Sequence, residues 1–224
     1  MSPRLVLVGW FAHAADLGAA CEAGDLPACA AHGGQLIGAG RWPEAALVLA
    51  PACESGSGEA CYNLASSYAR GGGPNQDLVA AVGLFRLGCD AGFSVSCGDL
   101  GWMLDQGLGV PEDPAAARGF LVRGCDGGAE TACRELATSL AAGRGGAVDL
   151  VGAAHRMAQG CALGDGKSCA MEGMAHQHGR GVKADEVVAF ARFSRACALD
   201  YATGCTAAAL VALPGARQDD VAVG

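Results

Sequence analysis

Apolar side chains return along this chain at fixed places. Leu64, Leu100 and Leu136 are each followed four residues later by Tyr68, Leu104 and Leu140, and the set recurs every 36 residues. Positions four apart share one face of an α-helix, so each pair predicts an amphipathic helix, A, with that face turned inward. A second apolar set predicts a following helix, B: Leu84-Phe85 and Phe120-Leu121, preceded by Ala81, Ala117, Ala153 and Ala189. Polar and glycine positions punctuate the two. Gly71, Gly107, Gly143 and Gly179 close helix A, because glycine takes the left-handed conformation that ends a helix, and Gly73, Gly109, Gly145 and Gly181 loosen the turn. Asp77, Asp113, Asp149 and Asp185 then stand where a carboxylate accepts from the free amides of helix B. The unit is a helical hairpin.

A hairpin repeated at this period predicts an all-α solenoid. The repeats fall at approximately 22–57, 58–93, 94–129, 130–165 and 166–201, with a partial C-terminal repeat at 202–213 and a frayed tail at 214–224. The first interval is four residues short, and Arg41-Trp42-Pro43-Glu44 replaces the longer turn, with Pro43 expected to open its helix. Residues 1–21 have two readings. One is a capping helix from about Leu5 to Cys21. The other is the remnant of a signal peptide, with Met1 to Arg4 as a positive region, Leu5 to Ala12 as an apolar stretch and Ala12-His13-Ala14 as a cleavage-like site. Gly83 and Gly119 lie inside helix B, and close contact with a neighbouring helix is the expected reason.

Cysteine changes the picture most. The twelve cysteines form pairs separated by eight: Cys21 and Cys29, Cys53 and Cys61, Cys89 and Cys97, Cys125 and Cys133, Cys161 and Cys169, Cys197 and Cys205. On one continuous helix such a pair would be about 12 Å apart, too far for a bridge, which needs Cα atoms within about 7 Å. The chain must turn back between them, at Gly24, Gly56, Gly92, Gly128 and Gly164. Each bridge would tie the end of one helix B to the start of the next helix A. Zinc ligation and reduced cysteine as a small core residue are the rival readings; no C-x-x-C occurs, and strict pairing favours disulfides. Disulfides imply an oxidising compartment, periplasmic or extracellular. The net charge of −8 argues against a nucleic-acid partner, and no apolar run is long enough to span a bilayer.

The columns Cys97, Leu100-Gly101, Gly107, Gly109-Val110, Asp113, Ala117 and Cys125 resemble the Sel1-like repeat, and the paired cysteines resemble its cysteine-rich branch, typified by the Helicobacter cysteine-rich proteins. The resemblance covers residues 21–213. It implies a right-handed αα-hairpin superhelix related to tetratricopeptide arrays, one disulfide per repeat, export and adaptor roles. Some members are described as penicillin-binding or weakly β-lactam-hydrolysing, so an enzyme acting on β-lactams or cell-wall precursors is the alternative it implies. Glu172 and His176 depart from the pattern, where leucine and tyrosine are usual, so the fifth repeat is expected to pack differently.

No catalytic constellation stands out. Lys167 and Lys183 are the only lysines, and neither completes S-x-x-K. His176 and His178 are two apart, an awkward spacing for shared ligation on a helix, and His176 occupies the packing column of Tyr68. Glu112-Asp113 and Asp185-Glu186 read as helix caps. Neither a cofactor nor a metal is expected. What remains is the concave side of the solenoid, lined by helix A. Counting from the second cysteine of each pair, offsets 1, 5, 8 and 9 face the groove and nominate Tyr62, Ser66, Arg70, Trp102, Asp105, Gln106, Arg134, Thr138, Met174, Gln177 and His178. The expectation is a monomeric scaffold that holds a protein or peptide ligand in that groove.

Overall fold

The computed structural model describes residues 16–71 and 76–212. Gly73, the reading of residues 1–14 and the tail beyond 213 lie outside the described residues. The first helix, α1, spans Leu17–Glu22, and the Asp16 side chain caps it by accepting from the Ala19 amide.

Twelve helices follow one another, with no strand among the described residues. The A helices are α2 (Leu26–Gly38), α4 (Gly58–Arg70), α6 (Ser94–Gln106), α8 (Glu130–Ala142), α10 (Gly166–His178) and α12 (Ala202–Ala212). The intervening B helices are α3 (Trp42–Glu54), α5 (Leu78–Asp90), α7 (Pro114–Asp126), α9 (Leu150–Ala162) and α11 (Glu186–Ala198). Each A packs against the B that follows it. Successive A helices also touch, α2 with α4, α6 with α8 and α10 with α12, whereas no two successive B helices among the described residues make a comparable contact. The A side is therefore crowded and the B side splayed. That wedge bends the stack towards the A helices and makes theirs the concave face.

The repeating residues explain the repeat geometry. Gly71, Gly107, Gly143 and Gly179 close their helices with φ between 65° and 71°. The side chains of Asp77, Asp113 and Asp149 accept the amides of Ala80, Ala116 and Gly152 at 2.9, 2.9 and 2.8 Å, and Asp185 accepts from Val187 and Val188. The amide of each aspartate also donates back to helix A, as from Asp113 to the Leu104 carbonyl at 2.9 Å. The second glycine does more than loosen the turn. A side chain on Gly109, Gly145 or Gly181 would collide with the carbonyl of Leu78, Pro114 or Leu150, the first residue of the B helix one repeat earlier. These glycines set the distance between hairpins. The short first turn obeys the same logic: Pro43 stands in the first turn of α3, and Arg41 Nε donates to Glu44 at 2.9 Å.

Within a hairpin, a small residue on A receives a large one from B. A Cβ on Gly101 would stand 2.8 Å from Leu121, and Gly33 and Gly173 face Leu49 and Phe193 in the same way. Leu49, Phe85, Leu121 and Phe193 are all at most 3% exposed. Gly83 and Gly119 do not behave as expected. Both are exposed with nothing within 4 Å of a Cβ, because the splayed B helices leave their outer faces without a neighbour.

All six cysteine pairs are bridged within their own turn, with Cα–Cα distances of 4.4–4.6 Å, and no cysteine is free. Gly24, Gly56, Gly92, Gly128 and Gly164 make the reversal at φ between 88° and 104°; in the last pair Asp200 takes the role at φ 60°. Arginine and glutamine side chains one repeat later satisfy carbonyls beside the bridges: Arg123 donates to Cys89 O at 3.0 Å and Gln159 to Cys125 O at 3.1 Å.

Candidate functional site

Trp102 projects from α6 onto the concave face and remains 46% exposed. Trp102 and Glu135 both border two cavities between α6 and α8. One, of about 220 Å³, is bordered by Gly98, Asp99, Thr131, Ala132, Arg134 and Glu135. The other, of about 180 Å³, is bordered by Asp105, Gln106, Glu135, Thr138 and Arg144, with Leu121 and Ser139 beneath.

The polar frame is held from neighbouring repeats. Arg134 Nη1 donates to Asp165 at 2.9 Å and its Nε to Glu135 at 3.3 Å. Arg144 reaches back from the turn after α8 to Asp105, with Nε 2.9 Å from the carboxylate and Nη2 2.7 Å from the backbone carbonyl, and also to Glu112 at 2.9 Å. Gln106 donates to Asp105 at 2.9 Å, and Thr138 returns its hydroxyl to the Arg134 carbonyl at 3.0 Å. Asp99 is different. Its carboxyl is pushed up to about 6 by burial, only partly offset by the charge of Arg70 on α4.

Five of the residues nominated from sequence thus come together: Trp102, Asp105, Gln106, Arg134 and Thr138. Tyr62 instead packs its ring 5.8 Å from Phe85 and 5.2 Å from Phe93, and Ser66 is half-buried. Arg70 is exposed one repeat earlier. Met174, Gln177 and His178 are exposed on α10, away from both cavities. Asp99, Glu135 and Arg144 are the residues that sequence reasoning missed. Their columns do vary from repeat to repeat, with Asn63, Asp99, Glu135 and Met171 at one offset.

A larger cleft of about 590 Å³ opens on the convex side, floored by Val122, Leu136 and Leu140. It is the wedge left between the splayed helices α7 and α9. The arginines at its rim are already engaged, Arg118 with the Ala147 carbonyl and Arg156 with Asp126.

Among the described residues no three His, Cys, Asp or Glu side chains are grouped as a metal site, and no helix is long and apolar enough to cross a membrane.

Comparison with family models decides the class: the Sel1 repeat model matches residues 58–93, 94–128 and 152–201, more than half of the chain. The chain belongs to the Sel1 repeat family. Two solved structures with TM-scores above 0.7 share the fold. A Sel1 repeat protein from Oxalobacter formigenes superposes with a TM-score of 0.73 at 20% identity, over 83% of this chain and 76% of that one. A protective antigen of uropathogenic Escherichia coli strains, displaying an SLR fold, gives 0.74 at 22% identity, over 84% of this chain and 41% of that one. Helicobacter pylori cysteine rich protein B gives 0.49 at 24% identity, over 58% and 94%. No curated protein matches the chain.

Proposed function

We propose that this Sel1 repeat chain is a non-catalytic adaptor of an oxidising compartment, periplasmic or extracellular. As a monomer it holds a protein or peptide segment on its concave face, around Trp102. The observation that carries the reading is the exposure of Trp102 at the border of two cavities. Its column otherwise holds Gly34, Ser66, Thr138, Met174 and Leu210, and a large aromatic set among smaller neighbours is the usual form of a binding anchor. The six disulfides support the compartment, since such bridges persist where thiols are not kept reduced. They also hold the A helices rigid, which lowers the ordering cost of binding.

Peptide display on the immobilised, oxidised protein tests this. Sequences that bind the parent chain and are lost on Trp102→Ala support the groove. Selected sequences indifferent to Trp102, or no selection at all, would overturn it.

A further inference from the structure

The walls of the two cavities carry more negative charge than their arginines neutralise. Asp99, Asp105 and Glu135 line them, against Arg134 and Arg144, which also pair outside the cavities with Asp165 and Glu112, while Arg70 acts on Asp99 from α4. The arginines are spoken for. Arg134 is shared between Glu135 and Asp165, and Arg144 between Asp105 and Glu112. Among the described residues Asp99 has no such partner, and Arg70 acts on it only through its charge. Asp99 and Glu135 border the same cavity, one from α6 and the other from α8, together with Trp102 and with Arg134, whose charge is taken up by Glu135 and Asp165. An exposed indole face attracts a cation through its quadrupole, and a half-desolvated carboxylate gains when one arrives.

We infer that this cavity takes the cationic side chain of a lysine or arginine from the bound segment, with the stem over the Trp102 ring and the charge between Asp99 and Glu135. The inference rests on the groove reading and names its ligand chemistry. About 220 Å³ suits one long side chain and little more. A guanidinium fits best, since its plane stacks on the indole while its edge donates to two carboxylates.

The probe is a fluorescein-labelled glycine–serine peptide bearing three spaced arginines, compared with its counterpart in which neutral citrulline replaces each arginine. Fluorescence anisotropy on the full oxidised chain reads the affinities. Because the protein is acidic overall, Asp99→Asn/Glu135→Gln is paired with Glu54→Gln/Asp200→Asn, which removes the same charge far from the groove. Citrulline, Trp102→Ala and Asp99→Asn/Glu135→Gln should each weaken binding about tenfold, and the distant pair should leave it unchanged. Equal affinity for the arginine and citrulline peptides, equal losses in both double variants, or no Trp102-dependent binding up to about 1 mM would overturn the inference. Failure here is separable from failure of the groove itself. Displayed peptides that need Trp102 but carry no lysine or arginine would leave the groove standing and remove its cation site.

Discussion

The Nε of Arg192 on α11 stands 3.0 Å from the Oε1 of Glu172 on α10, inside the fifth hairpin. Leu64, Leu100 and Leu136 fill the equivalent place in earlier hairpins, each at most 5% exposed. Glu172 is buried to the same degree, and among the described residues its Oε2, the Nδ1 of His176 and the Nε of Arg192 have no hydrogen-bond partner, so Arg192 meets Glu172 as a charge and not through an aligned hydrogen bond. This hairpin therefore carries a polar cluster where its neighbours carry leucine and tyrosine, and burial pushes the Glu172 carboxyl up despite Arg192, His176 and Arg195.

Replacing Glu172 with leucine restores the apolar column, while Arg192, with its side chain 38% exposed, turns to water. Glu172→Leu should stabilise the protein by about 1–2 kcal/mol, read as a higher urea midpoint with an unchanged slope. A lower midpoint would show that the ion pair holds the hairpin together.

Asp99 gives a pH signature of its own. Its folded-state pKa is raised, so the folded protein holds that proton more tightly than the unfolded chain does. The resulting stability is fully present below the ordinary aspartate range and is lost as pH rises through about 6. Arg70 on α4 and Arg134 and Glu135 on α8 are the charged groups facing it. Asp99→Asn should flatten the urea midpoint across this window relative to the parent. A midpoint profile identical to the parent's would contradict the burial of that carboxyl.

The glycines divide into two kinds with opposite expectations. Gly83→Ala and Gly119→Ala place a methyl in open space on a helix, so each should add about 1 kcal/mol. Gly145→Ala, at φ 69° and against the Pro114 carbonyl, should lose at least that much. Thermal melts of the three variants should fall on opposite sides of the parent, and a stable Gly145→Ala would disprove the close approach between repeats.

The bridges should be local. Peptide mapping of unreduced protein is expected to find each cysteine linked to the one eight residues away, and removing Cys125 and Cys133 together should cost about 2–3 kcal/mol. Links between repeats would contradict the hairpin register.

The fold was legible because each repeat makes the same demands. A cap at Asp113 must be answered by caps at Asp149 and Asp185, and Gly101 must find a small counterpart wherever a residue like Leu121 arrives. Contacts between repeats were less visible. Nothing local marks Gly109 as touching Leu78, and nothing marks Gly119 as open, since both depend on how far successive B helices splay. The residues bordering the two cavities extend beyond offsets 1, 5, 8 and 9. The offset of Asp99 and Glu135 lies only about 20° on the helical wheel from that of Gln106, so a face that ends at Gln106 stops just short of them. Arg144 lies beyond the helix, in a turn where periodicity says nothing. The offset of Tyr62 points towards the groove, but Phe93 and Phe85 draw its ring against the core.

The concave site depends on Trp102. With a peptide selected on the parent chain, calorimetric titration and thermal melting of Trp102→Ala should be measured on the same preparation. Binding should be weaker by about 2 kcal/mol or more, with a melting temperature close to the parent's. A variant that binds as tightly as the parent but melts well below it would show that the indole is packing, and the concave site would be withdrawn.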